Sequence, residues 1–312
     1  MPAISQLLRD VGWLFVVIAT FAVPFTLDTF GRLTYMTSLT VWLVPILYLW
    51  PLFRSLTAAG RGRRRRALRT SVFALLTFGA LLDFLVGHIT FHFSNCDVYV
   101  YCIAGPGGNV PIEELLFYAL GPAAMVLVYA CADELWLERY NPPDELLNVK
   151  LIEFSPAWIA VGAVAIGILI VIWRVNGAFP TYLAFLSLLG LLPTIFLYRT
   201  VRQFMNWPAF AVTSLYVLVT SIVWEVTLAL PRGWWAFTPS AMVGIYINAW
   251  SVVLSPFPIE EIGVWLAAPF FAVLVYEFAK AFFHHPLSTR AALFGSVGSE
   301  DRVERGDVPS PM

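Results

Sequence analysis

A tetrapeptide that occurs twice constrains the fold of this chain more than any other sequence feature. Pro-Ile-Glu-Glu stands at 111–114 and again at 258–261, and each copy opens a long apolar run. With an offset of 147, ten of the 22 residues in 111–132 are identical to those in 258–279. This agreement predicts a duplicated unit in which each copy carries a pair of carboxylates at the start of an apolar helix.

The composition places those helices in a membrane. The 312 residues are 59 % hydrophobic and 12 % charged, with a mean hydropathy of +0.77, whereas soluble domains carry about 25 % charged residues. Crossing a bilayer core takes about 20 helical residues, and the apolar runs reach that length. We therefore predict an all-α polytopic membrane protein with about eight transmembrane helices. They fall at roughly 11–27, 36–53, 70–91, 111–133, 156–174, 179–198, 207–230 and 258–283.

The distribution of basic residues predicts the orientation. With both termini in the cytoplasm, 16 arginines and lysines fall on the inner side and three, Arg32, Arg174 and Arg232, on the outer side. Cytoplasmic loops carry the excess of basic residues in membrane proteins, so we expect a multi-pass protein of the cell membrane. The arginine run at 61–69 would anchor this topology. Segment 240–255 is expected to be re-entrant or interfacial, because a ninth span would put the two motifs on opposite sides.

Four helices in each half is an even number, so the two halves are expected to run through the membrane in the same direction. We place the first membrane repeat at 1–140, the second at 141–285 and a disordered cytoplasmic tail, rich in Gly, Ser and charge, at 286–312. No clear cleavage site follows the first apolar stretch, so we expect an uncleaved first helix. Two parallel four-helix repeats bring both motifs to the outer ends of their helices, where they face one another across a pseudo-twofold axis.

The four motif glutamates are the first candidates for chemistry. They fall in the first turn of a predicted membrane helix, behind a proline at the first helical position, where its missing N–H costs nothing. Such a pattern also starts ordinary helices, but ionisable groups in a membrane mark functional sites by default, and the double occurrence favours function. Four carboxyls that converge on one site cannot all ionise, so one should stay protonated and serve as a general acid. The residues are Glu113, Glu114, Glu260 and Glu261, with Pro111 and Pro258 as motif prolines.

Two more acids occupy comparable places in the two halves. Asp83 lies 28 residues before the first motif and Glu225 lies 33 residues before the second, each in or near the end of an apolar span. A paired functional role and a structural hydrogen bond are both open. Aromatic residues crowd the same region and predict either an interfacial belt or a pocket whose ring faces stabilise a cation. The candidates for that pocket are Trp224, Trp234, Trp235 and Tyr118.

Histidines and cysteines near the first motif offer a second type of site. His88 and His92 are spaced i, i+4 and Cys96 follows, which is compatible with a metal site. The second half has no matching histidines, so we favour polar capping of the helix end and expect no metal. Cys96 and Cys102 share an outer loop and would form a disulfide on an oxidising side. No glycine-rich phosphate loop is present, so no nucleotide cofactor is expected.

A small, very apolar chain with a Pro-x-Glu-Glu motif in each of two repeated halves resembles the membrane-integral lycopene cyclases. The resemblance covers the spans around both motifs, about 70–133 and 207–283, and this chain would be the fused two-repeat form of an enzyme that also occurs as two small subunits. The family is specific for long apolar isoprenoids, so the resemblance implies a lipophilic C40 or C50 carotenoid substrate. It implies membrane lipid but no nucleic acid as a partner, and it leaves association with other carotenoid enzymes open.

The resemblance implies a carotenoid cyclase, an intramolecular lyase or isomerase that needs no cofactor. A protonated carboxylic acid gives H⁺ to the terminal C=C bond, the next C=C attacks the cation, and a carboxylate removes a ring proton. The acid and the base would come from the motif glutamates, supported by Asp83 and Glu225, and the individual roles stay open. Tryptophans 224, 234 and 235 would stabilise the cation. Ring type and the number of ends cyclised also stay open.

Other readings stay open from the residues alone, and one of them is a purely structural membrane protein. A hydratase or other isoprenoid-modifying membrane enzyme shares the first protonation step. An ion-coupled transporter also uses intramembrane carboxylates and internal repeats. The scarcity of polar residues along the spans disfavours the transporter.

Overall fold

The computed structural model describes residues 12, 13, 16, 18, 33–56, 61–93, 96–106, 108–142, 150–247, 257–284 and 289–294. Seven helices in these ranges are long and apolar enough to cross a membrane. The expectation of an all-α, multi-pass membrane protein is confirmed at that level. The first expected helix, 11–27, lies mostly outside the described residues, so the count of eight stays a prediction.

The described helices follow the expected order along the chain. The major helices are α1 (Thr40–Leu56), α2 (Arg61–Leu82), α3 (Ile112–Cys131), α4 (Pro156–Asn176), α5 (Thr181–Pro193), α6 (Trp207–Trp224) and α7 (Glu260–His284). Wider π-helical turns extend α2 (Asp83–Gly87), α3 (Ala132–Trp136), α5 (Thr194–Tyr198) and α6 (Glu225–Ala229). Short helical pieces lie at Thr34–Ser38, His88–Thr90, Cys96–Val98, Glu138–Tyr140, Arg199–Val201, Pro239–Ala241 and Thr289–Phe294.

Three two-stranded antiparallel ribbons join the helices on the side where α3 and α7 begin. Strand β1 (Phe91–His92) pairs with β4 (Ala236–Phe237), β2 (Cys102–Gly105) with β3 (Gly108–Pro111), and β5 (Tyr246–Ile247) with β6 (Phe257–Pro258). We call this side of the bundle the motif side. The first ribbon connects the segment after α2 to the segment after α6, so it ties the two halves of the chain together.

Helices α3 and α7 form the centre of the bundle. Helix α3 packs against α1, α2 and α6, while α7 packs against α2, α5, α6 and α3. The two central helices run in the same direction, because Asp133 and Lys280, beyond and near their C-terminal ends, form an ion pair at 3.8 Å on the side opposite the motifs. Helix α4 lies at the edge, and most of its apolar side chains are exposed, as expected of a surface that faces lipid.

Several predicted bounds are wrong. Helix α2 begins at Arg61 and not near residue 70, so the arginine run 61–69 forms helical turns, consistent with the high helix propensity of arginine. Pro111 is not the first helical residue, because its ψ of 145° is extended and the helix starts at Ile112. Pro258 ends β6 and is followed by a turn, with α7 starting at Glu260.

The predicted tail and segment 240–255 both contain regular secondary structure. The predicted disordered tail contains the helix Thr289–Phe294, whose Ala292 carbonyl accepts a hydrogen bond of 3.1 Å from the Leu151 N–H. The rest of the tail lies outside the described residues. Within segment 240–255, the strand at 246–247 pairs with that at 257–258, so the chain leaves and returns on the motif side. Residues 248–255 themselves lie outside the described part of the chain.

Candidate active site

A cavity of about 180 Å³ lies between the central helices near their motif-side ends. Three carboxyl side chains, Glu114, Glu225 and Glu261, line it. The other lining residues in the described part of the chain are apolar or aromatic, and they come from α2, α3, α5, α6, α7 and the segments around β1 and β4. Burying carboxyl groups among apolar and aromatic side chains costs folding free energy. This cavity is therefore the default candidate for the functional site.

The second glutamate of each motif accepts a hydrogen bond from a tyrosine that lies near the start of the same half of the sequence. The Tyr35 hydroxyl donates a hydrogen bond to Oε1 of Glu114, and the Tyr182 hydroxyl donates one to Oε1 of Glu261. Both pairs are separated by 79 residues in the sequence, and all four side chains are buried. The two cavity carboxyls of the motifs are therefore oriented by the same contact.

The first glutamate of each motif has a different role. Oε1 of Glu113 accepts a hydrogen bond of 2.8 Å from the Val100 N–H, and Oε1 of Glu260 accepts one of 2.5 Å from the Val243 N–H. Neither glutamate lines the cavity. Adjacent residues on a helix point in different directions, so one glutamate of each pair faces the cavity while the other anchors a motif-side loop.

Glu225 completes the acidic set of the cavity. Its Oε2 accepts a hydrogen bond of 3.1 Å from Nε1 of Trp265. Its carboxyl and that of Glu261 line the same cavity and interact electrostatically. Glu225 is also the first residue of the π-helical turn that extends α6. Such turns occur often at functional sites because they displace a side chain from the regular helical position.

Asp83 has the corresponding place on the other half, since it begins the π-helical turn that extends α2. It is buried beside the Tyr118 hydroxyl but does not line the cavity. Gly79 makes room for Tyr118 against α2, because a Cβ at that position would overlap the tyrosine ring. The structure thus brings Glu225 to the cavity and leaves Asp83 behind its wall.

Aromatic rings form much of the cavity wall. Phe117 stacks on Trp224 with centroids 5.6 Å apart, and Trp224 lies 5.4 Å from Trp235. Three of the four aromatic candidates, Trp224, Trp235 and Tyr118, line the cavity. Trp234 does not line it and instead stacks on Tyr35 at 4.6 Å, behind the Glu114 carboxyl.

A disulfide closes the loop that supports the first motif. Cys96 and Cys102 are bonded, which removes Cys96 from any metal site with His88 and His92. Inside this loop, the Tyr99 hydroxyl donates to the Trp234 carbonyl, and the Tyr99 ring lies 5.9 Å from that of Tyr35. Burial, followed by the charges of the nearby motif glutamates, raises the pKa of the Tyr99 phenol, so its hydroxyl remains a donor.

Tyr35 and Tyr182 were missed by the reasoning from sequence, although a signal for them exists. Thr34-Tyr35 recurs as Thr181-Tyr182 with the same offset of 147 that relates the two motifs. Extending the repeat toward the start of each half would have identified both tyrosines as members of the site.

Comparisons of the chain with protein-family models, with curated proteins and with solved structures find no match.

Proposed function

We propose that this protein is a carotenoid cyclase of the kind that the doubled Pro-Ile-Glu-Glu motif resembles, acting without redox change on a linear end of lycopene or a related carotenoid. The observation that carries the proposal is the shared cavity, in which one glutamate from each motif meets Glu225 among aromatic walls. Acid-initiated cyclisation needs an acid, a base, exclusion of water and electron-rich walls. The cavity offers each of these.

The contacts suggest separate roles for the three carboxyls. Glu225 and Glu261 both line the cavity and interact electrostatically, and two carboxyl groups can share a hydrogen bond when one of them carries a proton. We assign the proton donor to this pair, as in other sites where like charges cannot both ionise. Glu114 accepts a hydrogen bond from Tyr35, which favours its charged form, so we assign it as the base.

The reaction is balanced without a cofactor. The Glu225–Glu261 pair gives one proton to the terminal C=C bond, which leaves a tertiary cation. The π electrons of the next C=C bond form the ring bond and move the positive charge into the ring. Glu114 then removes one ring proton, whose C–H electrons form the new C=C bond. One proton enters and one leaves, so substrate and product are isomers and the enzyme is an isomerase.

The aromatic wall is suited to the cationic intermediate. A cation over the face of a tryptophan is stabilised by about 2 kcal/mol or more when both are removed from water. Trp224 and Trp235 present such rings in the cavity, and the apolar lining keeps water from trapping the cation as an alcohol. The exclusion of water favours cyclisation of the cation over its hydration.

The site also supports the proposed duplication. With the offset of 147, Tyr129 corresponds to Tyr276 and Asp133 to Lys280. The two tyrosine rings lie 6.1 Å apart and the two charged groups form an ion pair, as expected if a pseudo-twofold axis passes between α3 and α7. We propose two parallel repeats in the cell membrane, with cytoplasmic termini and the motifs on the outer side.

Pigment analysis in a lycopene-accumulating bacterial host tests this function. Expression of the chain should convert lycopene to a product of the same mass with a blue-shifted absorption spectrum and altered retention, measured by chromatography with mass spectrometry. A Glu261→Gln variant should leave lycopene unchanged. A product heavier by one water would identify a hydratase, and unchanged lycopene with well-folded protein would reject both enzymes and favour the transporter.

A further inference from the structure

We propose that Phe78, Phe185 and Phe271 form a lateral opening of the cavity, through which the chain of a long apolar substrate extends into lipid while one end is bound. The inference rests on the proposed function and deepens it, because it defines how the substrate enters and how much of it the cavity holds.

The cavity is too small to hold a whole C40 chain. An apolar cavity of about 150 Å³ holds a benzene molecule, and the volume here is about 180 Å³. The cavity accommodates a group the size of one six-membered ring and excludes the remainder of a C40 chain. The polyene must therefore leave the cavity through its wall.

The three phenylalanines provide the place where it leaves. Phe78 lines the cavity and is also 41 % exposed on the surface of the bundle. Its ring stacks on Phe185 with centroids 6.4 Å apart and lies 5.9 Å from Phe271. These residues belong to α2, α5 and α7, within their candidate membrane spans. Phe78 therefore stands between the cavity and the outer surface of the bundle.

The opposite wall is closed. The repeat offset of 147 places Phe185 on Ser38 and Phe271 on Ala124, and alignment of the two π-helical turns places Phe78 on Thr220. Ser38, Ala124 and Thr220 are all buried. Nε1 of Trp224 donates a hydrogen bond of 3.0 Å to Oγ of Ser38 and seals this side. Within the described residues, the three phenylalanines of the opening therefore correspond to buried residues in the other half of the sequence.

A single opening determines the order of the reaction on a substrate with two linear ends. Only one end is bound at a time, so the singly cyclised product must leave before its other end can enter. With lycopene in excess, the monocyclic product should accumulate first and the bicyclic product should follow after a lag.

Cross-linking across the opening tests the proposal. In the double variant Phe78→Cys/Phe185→Cys, a short bifunctional thiol reagent should join α2 to α5 in detergent-solubilised protein. Cyclisation of lycopene should then fall about tenfold or more, because access to the cavity limits turnover. A second readout is binding of cis-parinaric acid, a tetraene with an apolar tail, followed by quenching of tryptophan fluorescence from the cavity wall. The cross-link should abolish this quenching as well.

Matched controls separate the two hypotheses. Each single cysteine variant should show the same activity before and after treatment with the reagent, whatever its activity relative to the unmodified protein. The pair Gly162→Cys/Leu191→Cys should also keep its activity, because it joins α4 to α5, where Leu191 contacts Gly162 away from the cavity. Unchanged turnover and quenching in the cross-linked Phe78/Phe185 variant would overturn the opening. Loss of quenching without cyclised product in any variant would support the opening and reject the cyclase.

Discussion

Tyr35 donates a hydrogen bond to Glu114, and Tyr182 donates an equivalent one to Glu261. In both cases the acceptor is the second glutamate of a Pro-Ile-Glu-Glu motif, 79 residues after the tyrosine. Both tyrosines and both glutamates are buried, and both glutamates line one cavity. The repeated contact means that the chain orients its two motif carboxyls in the same way and directs them to a common point. The chemistry we propose depends on this convergence.

Removing one tyrosine hydroxyl should slow the chemical step and leave binding intact. A hydrogen bond to a charged group contributes about 1.5–3 kcal/mol, so Tyr35→Phe or Tyr182→Phe should lower kcat about tenfold to 100-fold. KM should stay within about twofold, because the hydroxyl does not contribute to binding of the substrate in its ground state. Steady-state kinetics with lycopene in detergent micelles measures both quantities, and a change confined to KM would contradict the orienting role.

The two glutamates of each motif should respond differently to the same substitution. Glu114→Gln and Glu261→Gln remove a group that exchanges a proton, and general acid–base catalysis contributes about 100-fold to 10,000-fold. Glu113→Gln and Glu260→Gln keep an oxygen that accepts from a backbone N–H, so they should retain most activity. Product formation by the four variants, normalised to folded protein, measures this split. Equal losses in all four would show that the loop contacts are part of the chemistry.

The sequence predicts the membrane helices and the importance of both motifs, because hydropathy and repeated residues are local properties. It does not predict which glutamate faces inward. That depends on the rotation of α3 and α7, which is set by packing against several other helices. The same holds for Glu225 and Asp83, which occupy equivalent π-helical turns although only Glu225 lines the cavity.

The start of α3 and the effect of the disulfide on the site also cannot be predicted from the sequence. Pro111 lies one residue before its helix, since β3 continues through it with an extended backbone, and hydropathy alone cannot place that boundary. The disulfide between Cys96 and Cys102 agrees with the sequence expectation. Its consequence for the site was not predictable, because it requires knowing that Tyr99 reaches Tyr35 and Trp234.

Loss of this disulfide should weaken the motif-side loop and with it the site. Cys102→Ser should lower stability by about 2 kcal/mol and reduce turnover, because the loop carries Tyr99 and the Val100 N–H that binds Glu113. Thermal unfolding in detergent and product formation measure the two effects. Cys131→Ala is the matched control, since Cys131 is a free buried thiol in α3. Unchanged unfolding and turnover in Cys102→Ser would contradict a supporting role.

The buried charges on the side opposite the motifs should stabilise the pairing of α3 with α7. Nζ of Lys280 lies 2.7 Å from Glu277 and 3.8 Å from Asp133. Lys280→Met removes the buried cation that contacts both carboxylates, and breaking a buried pair in this way costs about 3–5 kcal/mol. Thermal unfolding in detergent measures the loss.

An exchange of the two charges serves as the control for this cluster. The double variant Asp133→Lys/Lys280→Asp keeps opposite charges at two positions that the sequence offset of 147 aligns, so it should recover most of the stability lost in Lys280→Asp alone. A double variant no more stable than Lys280→Asp would show that the lysine acts through Glu277 and not across the two halves.

Isotope incorporation tests the central claim most directly. Purified protein, equilibrated in D₂O, is given lycopene, and the cyclised product is analysed by mass spectrometry. The account predicts one deuterium for each ring formed, because the cavity acid gives an exchanged proton to the terminal C=C bond and the base removes a proton from the ring. Little or no cyclised product should form with Glu114→Gln or Glu261→Gln. A cyclised product without deuterium, or one made equally well by both variants, would contradict proton-initiated cyclisation by these carboxyls.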